Sequence, residues 1–160
     1  MQPEQPMRIF CRANTGLNVA CRGDKVLLVP ADSSNKSQSW FTDVQWIKDS
    51  SFVGNLTDNN GERAFALVNV TTGQALVNQY AEAELQLVPY SGHVSVELPM
   101  LWSQGKELVD GFSEIRALQE PYYTLNAYGG DPIREEAVVG TYRSQSSYDH
   151  AIWKIAPINQ

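Results

Sequence analysis

The chain has 160 residues, 42% of them hydrophobic, and a formal net charge of −6. That length and apolar content suit one compact domain with a sizeable core. An acidic chain with no run of Lys or Arg is poorly suited to neutralise nucleic-acid phosphates or to bind an anionic membrane by charge, so both function classes are disfavoured.

The opening Met1-Gln2-Pro3-Glu4-Gln5-Pro6 is polar and proline-containing, and predicts a loose arm over residues 1–7. A single domain follows over 8–160, its first strand starting near Arg8. The N-terminus lacks a basic flank before an apolar run, and nowhere do about eighteen apolar residues stand together, so a secreted or spanning protein is disfavoured. Cys11 and Cys21 fall on neighbouring strands, where they could bridge; without a secretory signal the reading is two reduced thiols facing the core. Turn chemistry at Thr15-Gly16 and Arg22-Gly23-Asp24 brackets Leu17-Asn18-Val19 and Val26-Leu27-Leu28. Asp32 stands in a polar turn before Gln38-Ser39-Trp40. Residues 43–62, with Asn55, Asp58, Asn59, Asn60 and Gly61, read as a long connection in which Trp46 has no repeat partner and is a candidate exposed contact. Asn55-Leu56-Thr57 and Asn69-Val70-Thr71 match the glycosylation acceptor pattern, which matters only in a secreted protein.

Beyond this connection the chain repeats itself. Gly16-Leu17-Asn18-Val19 leading to Leu28-Val29-Pro30 recurs as Gly73-Gln74-Ala75-Leu76 leading to Leu87-Val88-Pro89, and a worn third copy runs from Leu125-Asn126-Ala127 to Val138-Val139. Each copy then reaches a tryptophan, at 40, 102 and 153. Apolar residues alternate with polar ones between these landmarks, which is the period of half-buried strands. Three units, near 8–62, 63–110 and 111–160, with about four short strands each, predict an all-β β-trefoil with pseudo-threefold symmetry. A β-sandwich would not need three equivalent tryptophans.

Little in the chain suggests catalysis. The two histidines, His93 and His150, lie in no zinc-binding spacing, so no metal or cofactor is expected. Glu82 with Glu84, and Glu135 with Glu136, could work as acid and base but fall in turn-like stretches. No nucleophile elbow or phosphate-cradling loop occurs. A non-enzymatic reading therefore leads. Gln38-Ser39-Trp40 has the Q-x-W form in which the tryptophan fills the core and the glutamine fixes a neighbouring loop. Sugar-binding trefoils add a shallow pocket, where a carboxylate or amide meets hydroxyls and an aromatic ring lies against the apolar face of a pyranose.

Several blocks carry a family resemblance: Trp40-Phe41, Phe65-Ala66-Leu67-Val68-Asn69, Thr72-Gly73-Gln74-Ala75-Leu76, Gln86-Leu87-Val88-Pro89-Tyr90, Leu101-Trp102, Asp110-Gly111-Phe112 with Ile115-Arg116, and Trp153-Lys154-Ile155. Their order over about 8–157 resembles the Euonymus-lectin family of plants, a branch of the ricin-B-like β-trefoil lectins. The resemblance implies a nuclear and cytoplasmic lectin domain linked to stress responses. It also implies binding of mannose- or galactose-containing glycans without catalysis or metal. In the third unit Asn126 stands where the family tends to carry aspartate, Tyr142 near a usual tryptophan, His150 for asparagine and Ala151 for glutamine. The candidate sugar contacts are Asn126, Tyr128, Asp131, Tyr142 and His150 in this favoured unit, and Asn18, Asp32 and Gln38 in the first. Asn18, Asp32 and Asp131 have a structural alternative as turn-holding groups. The expected partners are glycans or glycoproteins, with self-association as a route to avidity. The alternative function is a trefoil that has lost sugar binding and serves protein interaction through the same loops or the connection around Trp46.

Overall fold

A computed structural model describes residues 5–30, 43–52, 54–91 and 96–158. Twelve strands occur among them, four to each of three units. The first unit holds β1 (Met7–Cys11), β2 (Leu17–Arg22), β3 (Lys25–Pro30) and β4 (Trp46–Asp49). The second holds β5 (Ala66–Asn69), β6 (Gln74–Val77), β7 (Gln86–Pro89) and β8 (Trp102–Gln104), and the third β9 (Ile115–Ala117), β10 (Tyr123–Ala127), β11 (Val139–Arg143) and β12 (Trp153–Pro157).

The first and last strands of the units close a six-stranded barrel. β1 pairs antiparallel with β4 and β12, β4 with β5, and β8 with β9. The bridges Phe65 to Trp102 and Ser113 to Trp153 join β5 to β8 and β9 to β12. Closure leaves no open barrel edge, which removes the template for edge-to-edge association. The hairpins β2–β3, β6–β7 and β10–β11 cap one end and are tied to one another by bridges from Leu27 to Val138 and Glu84 to Gly140. This is the β-trefoil.

Threefold equivalence is marked by one repeated hydrogen bond. The buried indole N–H groups of Trp46, Trp102 and Trp153 donate to the carbonyls of Val19, Leu76 and Leu125 at 2.8, 3.2 and 2.9 Å. Each tryptophan thus plugs the barrel under a hairpin and satisfies its polar atom on that hairpin's backbone, as a buried indole must. Ile9, Leu67 and Ile115 form a second equivalent set, each fully buried.

Two expectations are corrected here. The first unit's core tryptophan is Trp46, fully buried at the head of β4, so it is no exposed contact and residues 43–62 are not wholly a connection. Trp40, to which that role was assigned, lies outside the described residues. The repeat alignment also slips by two residues in the first unit, because Val19, not Leu17, matches Leu76 and Leu125. A slip of two preserves which face points inward, so alternation of apolar and polar residues carries no signal against it. Cys11 and Cys21 are free, buried thiols. Asn69 is buried with its Nδ2 donating to the Asp43 carbonyl at 2.8 Å and its Oδ1 accepting from the N–H groups of Thr71 and Thr72, which leaves no room for a glycan.

Candidate functional site

The cap hairpin of the third unit carries the site. Asn126 and Gly140 are directly paired across β10 and β11, and Thr124 is paired with Tyr142. Paired and alternate residues share one sheet face, so Asn126, Thr124 and Tyr142 stand on the same side of the hairpin. Tyr128, two residues beyond Asn126, joins that face.

Glycine at 140 makes the arrangement fit. A Cβ there would stand 2.5 Å from the Ala83 carbonyl oxygen and 2.6 Å from Tyr128 Cζ, both inside contact range. The bare backbone lets the Tyr128 ring lie across the strand, where its hydroxyl donates within hydrogen-bond reach of the carbonyls of Thr141 (2.5 Å) and Ala83 (3.0 Å). Burial, with the negative charges of Glu82 and Glu84 adding, pushes that hydroxyl up to about 12. Tyr128 is therefore a neutral, fixed ring whose polar atom is already used. It offers a surface, not a hydroxyl.

Asn126 is buried to 2% exposure, and its Nδ2 donates to the Thr124 carbonyl and Oγ1 at 3.2 and 3.3 Å. These bonds set the carboxamide's orientation. The far wall comes from Gln145, Tyr148 and His150. Tyr148 N–H donates to the Gln145 carbonyl and Ala151 N–H to the Tyr148 carbonyl, forming a tight turn, while Ala13 N–H donates to the Asp149 carbonyl. Arg12 also pairs with the Asp149 carboxylate at 3.1 Å. The turn presents Tyr148 and His150 as a stacked pair, ring centroids 5.3 Å apart and planes 29° off parallel. Asn126, Tyr128, Tyr142, Tyr148 and His150 line a depression of about 290 Å³, together with Gly129 and Gly130. These glycines have φ of 114° and 81°, values that a side-chain-bearing residue rarely adopts, so the turn is built on residues without side chains.

No family model matches the chain. It is 30% identical over 161 residues to Ricin B-like lectin R40G3 of Oryza sativa subsp. japonica, covering 98% of this chain and 76% of that protein. The chain belongs to the ricin B-like lectins. It is also 28% identical over 156 residues to Ricin B-like lectin EULS3 of Arabidopsis thaliana, an Euonymus-lectin-type protein, covering 94% of this chain and 47% of that one. Among solved structures, the ricin B-like lectin of Macrolepiota procera, in complex with lactose, superposes with a TM-score of 0.67 at 18% identity over 98% of both chains, a likeness of fold.

Of the residues singled out in this ricin B-like lectin's sequence, four meet around the depression: Asn126, Tyr128, Tyr142 and His150. Asp131 lines a neighbouring depression instead. Asn18 is buried in the first unit, where its Oδ1 accepts from Arg8 Nε at 2.7 Å. By the tryptophan hydrogen bonds Asn18 corresponds to Thr124, and the positions that correspond to Asn126 are Ala20 and Val77. A first-unit counterpart built on Asn18 is thus not supported. Asp32 and Gln38 lie outside the described residues. Ala151, in the glutamine position of the family pattern, is fully buried.

Sequence reasoning missed Tyr148 and Gly140. The i, i+2 spacing of Tyr148 and His150 just before Trp153 was a usable signal. So was Gly140 inside an otherwise β-forming Val138-Val139-Gly140-Thr141-Tyr142, since a strand-interior glycine often marks a close approach. The acid pairs considered for catalysis are exposed, and Glu82 is engaged by Arg143 at 2.7 Å. Among the described residues no group of three or more His, Cys, Asp or Glu is arranged to hold a metal ion.

Proposed function

We propose that this lectin binds mannose- or galactose-containing glycans in the third-unit depression, without chemistry on the sugar. The observation that carries the reading is the convergence of one oriented carboxamide, Asn126, with Tyr128, Tyr142 and Tyr148 around one depression. Aromatic faces take the apolar side of a pyranose, while the carboxamide and the His150 ring meet its hydroxyls. Ala20 and Val77 replace the carboxamide in the other two units, so binding is assigned to the third alone. Family membership supports the same reading, and the resemblance to plant lectins supports a nuclear and cytoplasmic setting.

The test is a glycan array probed with the wild-type chain and with Asn126→Ala and Tyr142→Ala. Alanine is native at the position equivalent to 126 in the first unit, so the first variant is expected to stay folded. Selective signal lost in both variants is the expected result. Selective signal kept in both would move the site elsewhere, and silence from a folded wild-type chain would refute sugar binding.

A further inference from the structure

A second depression of about 430 Å³ adjoins the first. Gly130, Tyr148 and His150 line both, so the stacked Tyr148–His150 pair is a partition with an opening on either side. Each volume falls near the lower part of the range of small-ligand sites, about 300–1,000 Å³, which suits one sugar unit apiece better than one large ligand.

The second depression is a built space. Its walls come from three separated segments, around Ala13, around Asp131 to Ile133, and from Ser147 to His150. Backbone and side-chain hydrogen bonds hold these together: Ala13 N–H to the Asp149 carbonyl at 3.1 Å, and Asn14 Nδ2 to the Ile133 carbonyl at 3.3 Å. Its chemistry differs from that of the first. Two acidic residues, Asp131 and Asp149, line it together with Ser147 and the buried, apolar Ile133. Arg12 is divided between Asp149 at 3.1 Å and Asp110 at 3.4 Å, and Arg134 follows the lining residue Ile133, so the acids Asp110, Asp131 and Asp149 outnumber these two cations by one. Carboxylates accept hydrogen bonds from vicinal hydroxyls and repel anions.

We infer that the two depressions form one extended site for a neutral oligosaccharide: the first sugar lies beside Asn126, the chain crosses the Tyr148–His150 partition, and the next sugar lies between Asp131 and Asp149. This rests on the sugar-binding reading and adds the ligand's length and charge class.

The probes are methyl β-galactopyranoside with lactose and 3′-sialyllactose, and methyl α-mannopyranoside with α-1,2-mannobiose, titrated calorimetrically at low salt. The preferred disaccharide is expected to bind about tenfold tighter than its methyl glycoside, the factor that one or two net hydrogen bonds supply. Ser147→Trp, an exposed substitution that fills only the second depression, is expected to erase that advantage and leave methyl glycoside binding unchanged. If lactose is preferred, sialyllactose is expected to bind more weakly than lactose. Equal affinity for mono- and disaccharide, or a disaccharide advantage that survives Ser147→Trp, would overturn the extended site while leaving the first depression standing. Sialyllactose binding tighter than lactose would overturn the neutral assignment. Failure of every methyl glycoside and disaccharide to bind would overturn both readings.

Discussion

Gly140 and Tyr128 depend on each other. The ring occupies the space a side chain at 140 would need, so Gly140→Ala is expected to displace the ring and lower stability by about 1–3 kcal/mol, the usual cost of overpacking, measured by urea denaturation. Because the displaced ring is a wall of the depression, glycan affinity should fall with it; unchanged stability and affinity would contradict this packing. Tyr128 also carries a pH signature. Its hydroxyl holds its proton more tightly in the folded chain, up to about 12 against an ordinary value near 10. The linked stability is complete below about pH 10 and is lost as pH rises through about 12. Tyr128→Phe should therefore lower stability at neutral pH by about 1–3 kcal/mol, the cost of removing the one O–H that the Thr141 and Ala83 carbonyls share, and flatten its decline above pH 10. Cys21, whose thiol burial also pushes up to about 12, keeps part of that decline in place.

At the scale of elements, the tryptophan strands and the cap hairpins work as pairs. Each indole locks one barrel strand to one hairpin, so truncation at any of the three should loosen a whole unit. Trp46→Ala is expected to cost about 3–5 kcal/mol, as for other buried large-to-small changes. Thermal unfolding checks this, and a cost below about 1 kcal/mol, the level of an ordinary surface change, would contradict the buried assignment. The elements were largely legible in the sequence, because alternation and turn residues report strands locally. What alternation does not report is register: Val19 and Leu17 point the same way, and only the bond from Trp46 to the Val19 carbonyl separates them. The same ambiguity hid Trp46, since a tryptophan between polar stretches looks alike whether it heads a short strand or sits in a loop. Asn18 and Asn126 seemed equivalent for the same reason, and the two-residue slip makes one a buried partner of Arg8 and the other part of a depression.

The whole molecule repeats its core in threefold symmetry, and the proposed binding site departs from that symmetry. The barrel, the core and the indole bonds repeat in all three units, while the Asn126 position is a carboxamide in one unit and Ala20 or Val77 in the others. Binding should accordingly be monovalent, one glycan per chain by calorimetric stoichiometry, and two or three would contradict the assignment to a single unit. Monovalent recognition of one sugar is weak, so strong binding needs either the extended site or self-association. The grouping of Asn126, Tyr128, Tyr142 and His150 was readable because they fall on one hairpin and the turn after it. The Tyr148 wall was harder to see because a tertiary contact, Ala13 to Asp149, sets where its turn sits.

The measurement that tests this account most directly is a two-dimensional amide NMR titration of the labelled chain with methyl β-galactopyranoside and methyl α-mannopyranoside. The account predicts saturable shifts confined to residues 126–130, 140–142 and 145–150 for at least one sugar, and their loss in a folded Asn126→Ala variant. Saturable shifts centred on the first or second unit, or third-unit shifts that persist in the variant, would contradict it.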